Sequence, residues 1–242
     1  MTSMIFERVE KKYLLTYRQK EQLLARIGER LLEDKYPHGL VASLYMDTPD
    51  YRCIRASMDA RVYKEKLRLR AYGIPSLSDR VFLELKKKYK GVVYKRREKM
   101  TLAEAYRYLE SGIAPRQSQI FSEIGYVIDS TPDLAPRAYI SYERDAFAGR
   151  EESGLRITFD KNAFYRSCDL RLENGPSGYP VFPDESGIME IKTLGAMPLW
   201  LADALDELRI FPTSFSKYGT AYLRYECGRS AAAPVLQEEF HA

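Results

Sequence analysis

The run Lys64-Glu65-Lys66-Leu67-Arg68-Leu69-Arg70 carries a cation at every second position, with leucines in two of the gaps. Successive side chains of a strand point to opposite faces. Lys64, Lys66, Arg68 and Arg70 therefore share one side, and Leu67 and Leu69 take the other. The same alternation recurs in Phe82-Leu83-Glu84-Leu85-Lys86, in Leu155-Arg156-Ile157-Thr158-Phe159-Asp160 and in Ile188-Met189-Glu190-Ile191-Lys192. Mostly basic faces on several strands predict a barrel with a cationic interior, in which a closed sheet gathers them around one lumen.

Outward from that run, strands and helices intersperse without strict alternation. Phe6 to Leu15 reads as a strand with Arg8, Glu10 and Lys12 on one face, and Thr16 with Gln19 forms a capping box for a helix whose period runs through Leu24, Ile27 and Leu31. Leu44 to Asp47 is a strand ending in the turn signal Thr48-Pro49-Asp50. Val81 to Tyr89 and Val92 to Glu98 form a hairpin through Lys90-Gly91. Thr101 with Glu104 starts a second capped helix that stops near Gly112. A helix over 117–128, strands over 137–147 and 155–160, an aperiodic loop over 173–187, a strand over 188–192, a helix through Leu201, Leu205 and Leu208 and a final strand from Ser214 complete the reading. This order argues for an α+β fold, an antiparallel, roughly eight-stranded β-barrel tunnel with a polar, basic lumen and flanking helices. One domain over 1–228 is expected, followed by an unstructured tail over 229–242.

Composition narrows the function. The 242 residues carry 38 basic and 34 acidic side chains, a net charge of +4. That balance argues against a general nucleic-acid coat and suits a focused basic pocket. Three widely spaced cysteines, Cys53, Cys168 and Cys227, fit a reducing compartment without structural zinc, so a cytoplasmic location is expected. No apolar stretch approaches the ~20 residues needed to span a bilayer, and secretion is not expected from a start in which Met4-Ile5-Phe6 runs straight into Glu7-Arg8.

A lumen lined by guanidinium forks and lysines suits phosphate oxygens. Empty, it is costly, because like charges repel and lose hydration, and a polyanion relieves that cost. Carboxylates among the cations, Glu10, Glu84 and Glu190, are the oxygen donors that magnesium or manganese prefers. Other features read as structure. Tyr139, Tyr142 and Tyr218 suit barrel packing, Cys53 and Cys168 suit buried positions, Arg166, Arg171 and Arg209 suit solubility, and His38 and His241 have no catalytic partners in the sequence. No Walker loop, Ser/His/Asp set or zinc spacing is present.

Motifs in a fixed order then carry a resemblance. They are Arg8-x-Glu10-x-Lys12-Tyr13, Ser43-Leu44-Tyr45-Met46-Asp47-Thr48, Leu67-Arg68-Leu69-Arg70-x-Tyr72-Gly73, Glu84-Leu85-Lys86, Tyr142-Glu143-Arg144-x-Ala146-Phe147, Leu155-Arg156-Ile157-Thr158-x-Asp160, Met189-Glu190-Ile191-Lys192 and Phe215-Ser216-Lys217-Tyr218. Over Phe6 to Tyr225 the chain resembles the VTC domain family, the polyphosphate polymerase branch of the triphosphate tunnel metalloenzymes, whose wider superfamily includes the CYTH triphosphatases. The resemblance implies that Lys12, Arg68, Arg70, Lys86, Arg144, Arg156 and Lys217 line the tunnel and act on phosphates. It places Glu10, Glu84, Lys95 and Ser216 at the substrate, with Arg96 and Arg97 competing for the role of Lys95, and makes Glu190 the metal ligand. Members transfer the γ-phosphoryl group of ATP to a growing polyphosphate chain, releasing ADP, with manganese or magnesium. The implied partners are ATP and polyphosphate or triphosphate, with no nucleic acid; a membrane partner protein not encoded in this chain stays open. Hydrolytic relatives begin Glu-x-Glu-x-Lys, whereas this chain has Arg8 at the first acidic position. That exchange suits an anionic phosphate nucleophile, which needs alignment more than a base. A triphosphatase or a non-catalytic polyphosphate-binding module remains as the alternative.

Overall fold

The computed structural model describes residues 8–59, 62–90 and 92–227. The expected tail over 229–242 and the start of the first expected strand lie outside them. The described strands are β1 (Arg8–Thr16), β2 (Leu31–Asp47), β3 (Tyr63–Tyr72), β4 (Arg80–Tyr89), β5 (Val92–Thr101), β6 (Ala135–Gly149), β7 (Arg156–Arg166), β8 (Tyr179–Pro180), β9 (Ser186–Leu194) and β10 (Pro212–Thr213). They form one antiparallel sheet in the order β10-β1-β9-β7-β6-β2-β3-β4-β5, with β8 on the edge of β7. The hydrogen-bonded path stays open, with β5 and β10 at its ends. Instead of closing, the sheet curls, and β1 faces β3, β4 and β5 across a cavity.

Parity divides the side chains as the leucine/cation alternation predicts. Leu67 and Leu69 of β3, with Leu83 and Leu85 of β4, pack outward on Leu102, Ala105 and Tyr108 of α3 (Leu102–Ser111) and on Phe121, Ile124 and Val127 of α4 (Gln119–Asp129). On the other half of the sheet, Tyr13, Ile157, Phe159, Met189 and Ile191 pack on Leu23 and Ile27 of α1 (Tyr17–Ile27) and on Leu201, Ala204 and Leu205 of α5 (Leu199–Glu207). Both capping boxes form, Thr16 with Gln19 and Thr101 with Glu104, and Gly112 ends α3 at φ 71°, a conformation that favours glycine.

A third apolar cluster fills part of the inner face. Val41, Tyr45, Ile140, Tyr142 and Tyr165 of the sheet meet Ile54 of α2 (Arg52–Asp59) and Tyr218 and Ala221 of α6 (Lys217–Ala221). The buried carboxylate of Asp47 fastens both helices. It accepts from the backbone N–H groups of Thr48 (2.8 Å), Cys53 (2.8 Å) and Ile54 (3.0 Å) and from the hydroxyl of Tyr218 (2.8 Å). Neither short helix is periodic enough to be read locally. The expected final strand from Ser214 is instead the two residues of β10 followed by α6, because the Ser216 side chain caps the N–H of Gly219.

Other expectations are corrected. Arg166 is not a solubility residue; it is buried, lies 3.5 Å from the centre of the Tyr139 ring, and donates to the carbonyls of Asp169, Arg171 and Gly175. It thereby staples the aperiodic loop after β7. Cys168 is exposed and Cys53 half-buried, so neither sits in the apolar core. Among the described residues no helix is long and apolar enough to cross a membrane.

Candidate functional site

The strand register builds the site. On the inner face Lys64 stands opposite Lys88, Lys66 opposite Lys86, and Arg68 opposite Glu84. Across the next pairing Lys86 meets Lys95 and Glu84 meets Arg97. Like charges directly opposite on a sheet destabilise it. Here three such lysine pairs line up on adjacent strands, beside a cavity of about 590 Å³ whose wall includes Lys12, Lys64, Lys66, Lys86, Lys88 and Ser216. Glu10 is the carboxylate on that wall.

The inward cations fall into two groups. One is satisfied internally. Glu84 is 1% exposed and its carboxylate accepts from Arg68 Nε and Nη2 (2.9 and 2.8 Å) and Arg97 Nε (2.7 Å), with Lys95 Nζ at 2.8 Å. Burial pushes its pKa up, but the charges of Arg68 and Arg70 and the bond from Lys95 outweigh burial and hold it well below the carboxylate range. Asp160 plays the same part on β7: Arg144 grips both its oxygens (2.6 and 2.8 Å) and Lys217 donates at 2.5 Å. Against the upward push of burial, Lys217 and Arg144 bring its pKa down to about 2. Arg70 is buried and donates to the hydroxyls of Ser43 and Tyr142, both at 3.3 Å. Arg156 is half-exposed and binds Asp34 (2.6 Å).

The second group has no carboxylate partner. Among the described residues Lys64, Lys66, Lys86 and Lys88 make no ion pair. Lys66 Nζ donates to Ser216 Oγ (3.1 Å). Burial lowers its pKa to about 8, with Lys12, Lys86 and Lys64 adding to the fall against the opposing phenol of Tyr45. Burial also lowers Lys86. Tyr45, stacked on Tyr218 at 4.8 Å, accepts from Arg68 (3.1 Å). Burial pushes its phenol up, and Arg68, Arg70 and Lys66 pull it down to about 8.

Across the cavity, β1 and β9 place Glu10 opposite Lys192 and Lys12 opposite Glu190. Lys12 Nζ donates to the carbonyl of Phe215 (3.1 Å) and lies 3.8 Å from Glu10. Glu190 is paired with Lys192 at 2.5 Å; burial raises its pKa, and Lys192, Lys12 and Arg144 carry it down to about 2, so it is ionised. The hydroxyl of Thr158, opposite Glu190 on β7, is buried without a hydrogen-bond partner among the described residues. Among the described residues no group of three or more His, Cys, Asp or Glu side chains could hold a metal. Glu190 and Glu10, at 2.5 and 3.8 Å from the shared Lys192 amine, are the two carboxylates that could take up a divalent cation together with phosphate oxygens, the habit of magnesium.

Of the sequence-predicted residues, the geometry brings Lys12, Lys86, Glu10 and Ser216 to the cavity wall, puts Arg68, Arg70, Lys95 and Glu84 in one buried network and Arg144 and Lys217 in another, and leaves Arg156 beside Asp34. Sequence reasoning missed Lys64, Lys66 and Lys88 as site residues, although the alternation had placed the first two on the inner face. It also missed Asp160 and Lys192 as the counter-charges of Arg144 and Glu190. Arg8 pairs through its backbone with Leu194; its side chain lies outside the described set.

A model of the VTC domain matches residues 7–225. The chain belongs to the VTC domain family. Among solved structures, this VTC domain is similar to a candidate adenylate cyclase from Bacillus halodurans, with a TM-score of 0.54, 15% identity and coverage of 90% of this chain and 97% of that one. It is also similar to a candidate adenylyl cyclase from Hippeastrum with a dominant triphosphatase activity, with a TM-score of 0.53, 17% identity and coverage of 90% and 95%. At such identities the likeness is one of fold. No curated protein matches this VTC domain.

Proposed function

We propose that this VTC domain is an ATP-dependent polyphosphate polymerase that transfers the γ-phosphoryl group of ATP to a growing phosphate chain inside the lysine-lined cavity. The observation that carries the reading is the stack of like-charged pairs, Lys64/Lys88, Lys66/Lys86 and Lys86/Lys95, on one face beside that cavity. A fold gains nothing from such pairs alone, and a chain of phosphates neutralises several at once. The arginines act from behind. Held by Glu84 and Asp160, Arg68, Arg97 and Arg144 are fixed in place before substrate arrives, and a preorganised field of this kind lowers the cost of charge developing on a transferred phosphoryl group.

Transfer to a phosphate oxygen needs no strong base. The inward carboxylates Glu84, Asp160 and Glu190 are poor bases, since all three are lowered in pKa. Glu190, with Glu10 beside it, would hold a manganese or magnesium ion; when bound, such an ion neutralises charge on the phosphate oxygens. Lys12, Lys66 and Lys86 orient the phosphates from opposite walls.

A second reading, hydrolysis of triphosphate in the same lumen, is supported by the fold shared with the Hippeastrum protein, which has a dominant triphosphatase activity. Product analysis of ATP turnover with manganese separates the two. ADP formed together with a phosphate polymer on a gel supports the polymerase, and free phosphate formed in step with ADP makes the protein a triphosphatase. Unchanged ATP, with tight tripolyphosphate binding, makes it a binding module.

A further inference from the structure

The sheet leaves one side of the lumen unclosed. Among the described strands β5 pairs with β4 alone, so its other edge, from Val92 to Thr101, carries no strand. On the facing side β10 covers the edge of β1 only at Lys12 and Tyr13, and Arg8 to Lys11 have no strand partner there among the described residues. Residues from both edges nevertheless line the same cavity: Glu10 and Lys12 of β1, and Val93 of β5 opposite Lys88.

Exposure of the inward side chains rises toward that seam. In the row of Arg68, Glu84 and Arg97, the side chain of Arg68 on β3 is 19% exposed and that of Arg97 on β5 36%. In the next rows the side chain of Lys95 is 43% exposed and Val93 as a whole 48%. Across the seam the side chain of Glu10 is 33% exposed. Strands enclose the inward residues of a closed barrel on every side; here those beside the seam meet solvent. The charge along the seam is mostly basic. Lys12, Lys95 and Arg97 face inward along it, and the acid there, Glu10, lies 3.8 Å from both Lys12 and Lys192. Arg96 points the other way and holds Glu123 (3.0 Å).

We propose, on the reading of the cavity as a phosphate-chain site, that this seam is a lateral entrance through which the cavity takes the middle of a long phosphate chain as well as its end. Lysines recognise charge, and every unit of such a chain carries it, so the rows Lys64/Lys88 and Lys66/Lys86 grip an interior stretch as they grip a terminal one. Threading through an enclosed tunnel demands a free end; sideways entry through an unpaired seam does not. A strand from another chain is kept from filling the seam by Lys95, Arg96 and Arg97, since charges on an edge strand oppose edge-to-edge pairing. A chain held by its middle presents no terminal phosphate to the lumen, so it competes with ATP for the lysines without being extended.

The test uses a long linear polyphosphate coupled to biotin at both terminal phosphates and capped there with monovalent streptavidin, beside the same chain uncapped. Binding of each to the full protein chain is measured by thermophoresis, with and without excess tripolyphosphate, and again for Lys66→Glu. The expected result is that capped and uncapped polymers bind with the same affinity, that tripolyphosphate displaces both, and that Lys66→Glu weakens both by about tenfold or more. Displacement reads occupancy of the lumen without relying on the variant. An uncapped polymer that binds and is displaced, with a capped polymer that does not bind, overturns the lateral entrance and leaves the cavity reading standing. A capped polymer that stays bound in excess tripolyphosphate, or that Lys66→Glu leaves unmoved, sits outside the lumen and overturns the entrance as well. Failure of the uncapped polymer to bind, or to be displaced, overturns the cavity reading and the entrance with it.

Discussion

Replacing Glu84 by Gln keeps the volume of the side chain and deletes one charge at the centre of the largest buried network. Arg68, Arg97 and Lys95 all contact that carboxylate within 3 Å, and Arg70 lies 3.9 Å from it. Breaking a buried ion pair from one side costs ~3–5 kcal/mol, because the remaining charge is left without compensation. Lys95 and Arg97 are each more than a third exposed and can turn to solvent, which discounts their share. Arg68 and Arg70 cannot. A loss near ~3 kcal/mol follows, and at ~2–4 °C per kcal/mol for a chain of this size the melting temperature falls by ~6–12 °C. Tripolyphosphate should restore more stability to the variant than to the wild type, since the ligand supplies the missing negative charge. Thermal melts with and without tripolyphosphate measure both quantities. A variant that melts with the wild type and gains no more from the ligand would refute the view that Glu84 holds the cations in place.

Tripolyphosphate affinity should fall between pH 7 and 9 as the Lys66 amine, lowered to about 8, loses its proton, and Lys66→Arg should flatten that fall; calorimetry over the range checks it. The sign for stability is opposite: the folded pKa lies below the ordinary 10.5, so the unfolded chain binds more protons between those values, and the empty protein should gain stability as pH rises through them. Leu69→Ala empties a fully buried position under α3 and α4 and should cost ~2–5 kcal/mol in denaturant melts, with ligand affinity of the folded fraction intact. Glu190→Gln should remove most turnover and raise the manganese needed for what remains; activity unchanged across a metal titration would count against Glu190 as ligand.

The period of two made the central result legible. From Leu67, Leu69 and the cations between them follow the inner and outer faces of β3, and the same parity holds for Glu84, Lys86, Asp160 and Glu190. What stayed hidden depends on partners distant in sequence. Helices α2 and α6 form around the Asp47 carboxylate, which lies 171 residues from Tyr218. Arg166 looks like any surface arginine until the loop after β7 folds its carbonyls around the guanidinium. Which cations are free and which are satisfied follows from register, because Glu84 faces Arg68 and Asp160 faces Arg144 only once the strands are aligned. The open seam between β5 and β10 likewise rests on strand ends that alternation alone does not fix.

The most direct measurement of the central claim is a crystal structure of the protein with tripolyphosphate bound. The account predicts phosphate oxygens within hydrogen-bonding distance of Lys12, Lys66, Lys86 and Ser216, with Arg68 still on Glu84 and Arg144 still on Asp160. Phosphates bound away from this cavity, or Arg68 and Arg144 drawn off their carboxylates to hold the ligand while the lysines stay solvated, would contradict it.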